Sequence, residues 1–133
     1  MKVTITDENN RRVEIASGNE ESPSNLAIEE TREKQVATGL RWKRRKVFDR
    51  GNKGTRVSFQ VHRVHETLGA AERFILTHQT DVPNQGLVEF KLVDDSSLYL
   101  DASMIEAITV SHVGVSTSHT YTIEGGEISA VKP

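Results

Sequence analysis

A chain of 133 residues, 35% hydrophobic and 27% charged, is long enough to bury one core and suits a single domain over 1–133. It contains no cysteine, which excludes disulfides, thiolate metal sites and a cysteine nucleophile. The net charge of −2 weighs against general binding of nucleic acid, and no apolar run approaches the ~18–20 residues of a membrane helix.

The chain opens with Met1-Lys2-Val3-Thr4-Ile5-Thr6, which alternates instead of building the apolar run of a signal peptide. Val3 and Ile5, then Val13 and Ile15, flank the polar stretch Asp7-Glu8-Asn9-Asn10, and this pattern predicts a β-hairpin. Residues 17–33 are rich in Ser, Glu and Asn and are expected to form a mobile loop, with at most a helical turn near Leu26-Ala27-Ile28. Gln35 to Lys46 and Thr55 to Val64 suggest a second hairpin, with Phe48-Asp49-Arg50-Gly51-Asn52-Lys53-Gly54 at its tip. Its second arm alternates cleanly: Val57, Phe59 and Val61 face inward, and Arg56, Ser58, Gln60 and His62 face outward. Its first arm holds too many charges for a buried strand, so 41–56 is expected to project as a basic hairpin.

Thr67 to Gln79 predicts the one helix, about 67–79, with Thr67 as N-cap and a stripe of Leu68, Ala71, Phe74 or Ile75, and His78. Asp81-Val82-Pro83-Asn84-Gln85-Gly86 should end it. Strands follow at Val88–Leu92, Leu98–Leu100 and Ile105–Val115, with turns at Asp94-Asp95-Ser96 and Ser116-Thr117-Ser118. His119, Tyr121 and Ile123 alternate with threonines before Gly125-Gly126, and Glu127 to Val131 makes a short tail strand. Eight or nine strands with one helix make an α+β, mainly β, domain: an antiparallel β-sandwich or open barrel with one flanking α-helix.

Charge is segregated along the chain. Residues 1–33 carry −4, residues 41–63 carry +8 and residues 64–133 carry −7. The basic segment is a candidate interaction surface, for a neighbouring copy or for nucleic acid: Arg41, Trp42, Lys43, Arg44, Arg45, Lys46, Phe48, Arg50 and Lys53. Trp42 and Phe48 supply the aromatic contacts that either use would need.

Chemistry is sparse. His62, His65, His78, His112 and His119 match no zinc spacing, so no metal site is expected. A ligand-binding or catalytic sandwich would require His62, His65, His112 and His119 to meet at a cavity mouth. The sequence lacks a Gly-x-Ser-x-Gly elbow, a Walker A loop, a Gly-x-Gly-x-x-Gly loop and a His-Glu-x-x-His helix. No catalytic residue and no cofactor is expected, and the chain reads as non-enzymatic.

The stretches Arg56-Val57-Ser58-Phe59-Gln60-Val61, Thr67-Leu68-Gly69-Ala70-Ala71-Glu72-Arg73-Phe74, Gly86-Leu87-Val88-Glu89-Phe90 and His119-Thr120-Tyr121-Thr122-Ile123-Glu124-Gly125-Gly126 carry a resemblance. Over about 35–126, their order of elements resembles the small β-sandwich proteins of tailed-bacteriophage tails, meaning tail-tube, distal-tail and baseplate subunits. The resemblance implies a structural protein of a phage or prophage, assembled in the cytoplasm and carried in the virion tail. Its partners would be its own copies, as a homo-oligomer, or other tail proteins, and not a membrane. Subunits of such tails stack in rings, with a long hairpin reaching a neighbour. The basic hairpin and the acidic N-terminal segment depart from that pattern. The leading expectation is thus a subunit that self-associates through β-edges and complementary charge. The alternative is a nucleic-acid-binding module that uses the same hairpin.

Overall fold

The computed structural model describes residues 1–18, 21–37 and 46–133, the side chains of 31–37 and 46–53 excepted. Eight strands and one helix follow in the order β1 Lys2–Thr6, β2 Arg12–Ala16, β3 Ser24–Ala37, β4 Lys46–Val64, α1 Leu68–Asp81, β5 Gln85–Lys91, β6 Ser97–Val113, β7 Ser116–Gly125 and β8 Ile128–Ser129. All pairings are antiparallel, in the order β2-β1-β5-β6-β7-β4-β3, with β8 added beside β6. The terminal strands β2 and β3 do not pair, so the sheet stays open.

The first hairpin forms because Val3, Ile5, Ile15 and Ala16 are fully buried, while the turn between them satisfies itself. Asp7 Oδ1 accepts from the backbone N–H groups of Asn9 and Arg11, each at 2.9 Å. Asn10 takes φ +61°, a conformation that asparagine tolerates better than most residues. On the other flank β1 lies so close to β5 that a Cβ at Gly86 would collide with the Thr6 carbonyl, which makes a side chain there untenable.

β6 gives the sheet its shape. Its first part pairs with β5 and β8, its second with β7, and Met104 marks the change, opposite Gln85 on one side and Glu124 on the other. The strand bends just before this point. Ala102 takes φ +52° and its N–H binds Asp101 Oδ1 at 2.8 Å, while Ser103 Oγ donates to the Leu100 carbonyl at 2.5 Å. The predicted separate strands at Leu98–Leu100 and Ile105–Val115 are therefore one bent strand. The bend lets the two parts of the sheet face each other, as strands do when they turn a sandwich corner. Val3, Ile5, Ile15, Val88 and Phe90 from one part meet Val57, Phe59, Val61, Tyr121 and Ile123 from the other in a single core, with Leu100 between them. The expected β-rich sandwich with one flanking helix is the fold observed.

Three expectations change. Residues 24–33 lie in β3, not in a loop: Ala27 and Ile28 pair with Ser58 and Val57, so backbone hydrogen bonding to β4 overrides the polar composition. Phe48 to Gly54 are not a tip. They belong to β4, and the ladder continues past them to Ala37↔Lys46. The turn chemistry of Asp49-Arg50-Gly51-Asn52 serves a bulge instead, where three residues of β4 stand opposite Glu33 alone. The turn expected at Ser116–Ser118 falls at Gly114-Val115, where Gly114 supplies φ +58°.

Helix α1 starts at the expected cap. Thr67 Oγ1 accepts from the Ala70 N–H at 3.1 Å, which satisfies one of the free donors of the first turn. The helix ends where the Val82 N–H binds the His78 carbonyl, just before Pro83. Ala71 and His78 are buried; Leu68, expected on the inner stripe, is half exposed.

Candidate assembly surfaces and the helix anchor

β4 has two neighbours for only part of its length. From Thr55 to Gln60 it lies between β3 and β7, from Val61 to Val64 it pairs with β7 alone, and its pairing with β7 ends at Thr55↔Gly125. From Gly54 back to Lys46 it pairs with β3 alone, a two-stranded ribbon of nine residues on the β4 side, roughly 30 Å long at the usual strand rise. Of the candidate interaction residues, Lys46, Phe48, Arg50 and Lys53 stand on this ribbon. Lys46 is opposite Ala37, Phe48 opposite Gln35, and Lys53 opposite Arg32. Arg41, Trp42, Lys43, Arg44 and Arg45 lie outside the described residues.

Two arginines of the basic segment are engaged within the chain. Arg56 is held between strands by Glu124 at 2.8 Å and Glu106 at 3.3 Å, and these partners, Glu124 foremost, raise its pKa. Arg63 is only 5% exposed and belongs to the interior.

β3 is an edge strand, and its body half presents Leu26 and Ile28, 48% and 58% exposed. They flank an apolar groove of about 90 Å³, whose floor and far wall are Met1, Val57, Phe90, Leu92, Leu98 and Ile128. An unguarded edge beside apolar side chains is a surface on which another strand can add.

A different arrangement joins α1 to the sheet. Arg63, His65, Phe74, His78, His119 and Tyr121 form one cluster. His78 Nε2 and the Tyr121 hydroxyl are 2.5 Å apart. Phe74 stacks on His78 with ring centroids 4.6 Å apart and meets His119 edge-on at 5.3 Å. The Arg63 guanidinium lies 4.8 Å from the centre of the Phe74 ring. It also donates to the Ile15 carbonyl, approaches His119 Nδ1 at 3.4 Å and pairs with Glu21 at 3.5 Å. His65 Nε2 bonds Thr117 Oγ1 at 3.0 Å. Burial, and then the Arg63 charge, push both His78 and His119 down to about 4. The Tyr121 hydroxyl is pushed up, chiefly by burial.

The four histidines that would have lined a cavity mouth do not converge. His62 and His112 are exposed, whereas His119 is fully buried and packs with His78. No group of three or more metal-ligating side chains occurs among the described residues. The cluster around Arg63 escapes inspection of the sequence because its members come from three separate elements. Strand register was the available signal. Arg63 continues the inward series Val57, Phe59, Val61, and His119 shares the inward face of Tyr121 and Ile123.

No protein-family model matches the chain, and no curated protein matches it in sequence. Solved structures do. The chain shares its fold with a chain from the tail of an empty gene transfer agent particle with C6 symmetry, matched over 99% of this chain and 96% of the other with a TM-score of 0.50 and 16% identity. A chain from the virion of a native gene transfer agent particle is also similar, at a TM-score of 0.47 and 16% identity over 96% and 93% of the two chains. Among the described residues, no helix is long and apolar enough to cross a membrane.

Proposed function

We propose that the chain is a non-enzymatic structural subunit of a phage-tail-like assembly, joined to its own copies or to other tail proteins. The observation that carries this reading is a likeness in fold that spans nearly the whole of both chains to a component of a gene transfer agent tail.

The mechanism is complementarity between copies. The β3–β4 ribbon has hydrogen-bonding edges on both sides that the rest of the sheet does not cover. It carries the basic residues of one subunit toward the acidic surface of the next, where residues 64–133 hold a net −7. Leu26 and Ile28 on the β3 edge add an apolar contact to that pairing. The unlike surfaces make the contact head-to-tail, and such contacts generate rings or stacks. The symmetry of the similar tail makes six copies the ring size to look for. Assembly takes place in the cytoplasm, and the product belongs to the virion tail.

The test is the double charge reversal R44E/R45E, followed by particle mass and electron microscopy. Loss of higher-order species with an unchanged circular dichroism spectrum is the expected result. Unchanged assembly would remove the electrostatic part of the mechanism. A gel shift with DNA at low salt that collapses as salt rises, with no self-association, would favour the nucleic-acid reading of the same basic segment.

A further inference from the structure

Apart from its cap and connections, α1 meets the sheet mainly along β7. The side chains that hold it there are of an unusual kind. The inward helix residues at the cluster are Phe74 and His78, and they rest on Arg63 from β4, His65 just after it, and His119 and Tyr121 from β7. All four of these partners can ionise or carry a charge. Glu21, which precedes β3, supplies the carboxylate paired with Arg63.

We propose that α1 is an acid-released latch: neutral His78 and His119 hold the helix on the sheet, and protonating them frees the helix while the sheet stays paired. The geometry sets the direction. His119 Nδ1 faces an Arg63 donor at 3.4 Å, an arrangement that needs an unprotonated ring nitrogen. His78 Nε2 and the Tyr121 hydroxyl form a short bond whose simplest form has the phenol donating to a neutral imidazole. The two added protons put a second and a third positive charge beside Arg63, against the single carboxylate of Glu21. His78 is 6% exposed and His119 fully buried, so water does not screen that repulsion until the helix lifts. Burial and Arg63 both hold the two imidazoles neutral, in agreement with this geometry. The sheet has no such dependence at its centre, where Val3, Ile5, Val57, Phe59, Val61, Val88 and Ile123 are aliphatic or aromatic. Acid therefore separates the helix from the sheet instead of melting both. The latch is a property of the single chain and holds whether or not copies associate.

Amide hydrogen exchange of the whole chain between pH 7.5 and 4, corrected for the intrinsic pH dependence of exchange, tests it. Between pH 6.5 and 4 the α1 amides should fall to little or no protection, while amides of β4 and β7, though weakened, stay protected. At pH 5 the loss should reach about 30-fold for each of two protons taken up. His78→Gln keeps an acceptor for Tyr121 but cannot titrate, and should reduce the proton count from two to one. Helix and strands with equal protection at every pH, as a single unfolding unit gives, would overturn the latch, as would a helix still protected at pH 4. A proton count unchanged in H78Q would remove His78 from it. Should the variant fail to fold, the wild-type profile decides alone.

Discussion

The two halves of β4 show how one strand can serve two ends. Thr55–Gln60 lies between two neighbours and Val61–Val64 continues along β7, and Val57, Phe59 and Val61 are at most 1% exposed. Lys46–Gly54 has β3 alone and brings Lys46, Arg50 and Lys53 with it. A two-stranded ribbon lacks the third layer or strand that makes a sheet independently stable. The body half therefore carries the stability of the fold, and the ribbon half is open to a partner. Substitutions in the two halves should separate stability from assembly.

Phe59→Ala should produce the largest loss of stability. The ring is 1% exposed and stacks on Tyr121 at 5.3 Å, and truncating such a core side chain costs about 3–5 kcal/mol. Urea unfolding measures it, and a loss below about 1 kcal/mol would contradict the placement of the core.

Acid should have an effect of similar size, because two histidines contribute. His78 and His119 sit at about 4 in the folded chain against 6.5 when free. Between those values the unfolded state binds more protons, so stability is complete above pH 6.5 and falls as pH drops toward 4. The loss amounts to roughly 2–3 kcal/mol per histidine. Urea midpoints measured from pH 7.5 to 4 give the slope, and H78Q should flatten it.

Arg56→Ala is expected to cost less. Its pairs with Glu124 and Glu106 are solvent-exposed, and water and salt screen such bridges until they contribute little. A large cost would mean that Arg56 helps to set the β4–β7 register. Smallest of all is the stability effect of R44E/R45E, expected within about 0.5 kcal/mol for a run whose density of charge excludes burial. Its effect on association should be the greatest of the four.

The body was legible in the sequence because one pattern decides it. Val57, Phe59 and Val61 alternate, and so do His119, Tyr121 and Ile123, and a half-buried strand requires that period. The helix was legible through Thr67 and the Ala71–His78 spacing. β3 was hidden because Glu29, Glu30 and the Ser and Asn residues before them have loop composition, while the pairing that makes a strand comes from β4. The ribbon was misplaced because a glycine-containing bulge and a glycine-containing turn share residue types. The helix anchor was hidden for a different reason. Arg63, His78 and His119 each look like a surface residue alone, and only the packing of α1 on β7 brings them together.

The central claim is that this chain associates with its own copies through the basic segment at the end of β4. Light-scattering mass across protein concentration, at low and high salt, for the wild type and R44E/R45E, tests it most directly. The account predicts species well above the 14.8 kDa of one chain, growing with concentration, weakened by salt and lost in the double variant. A monomer at every concentration and salt, in both proteins, would contradict it.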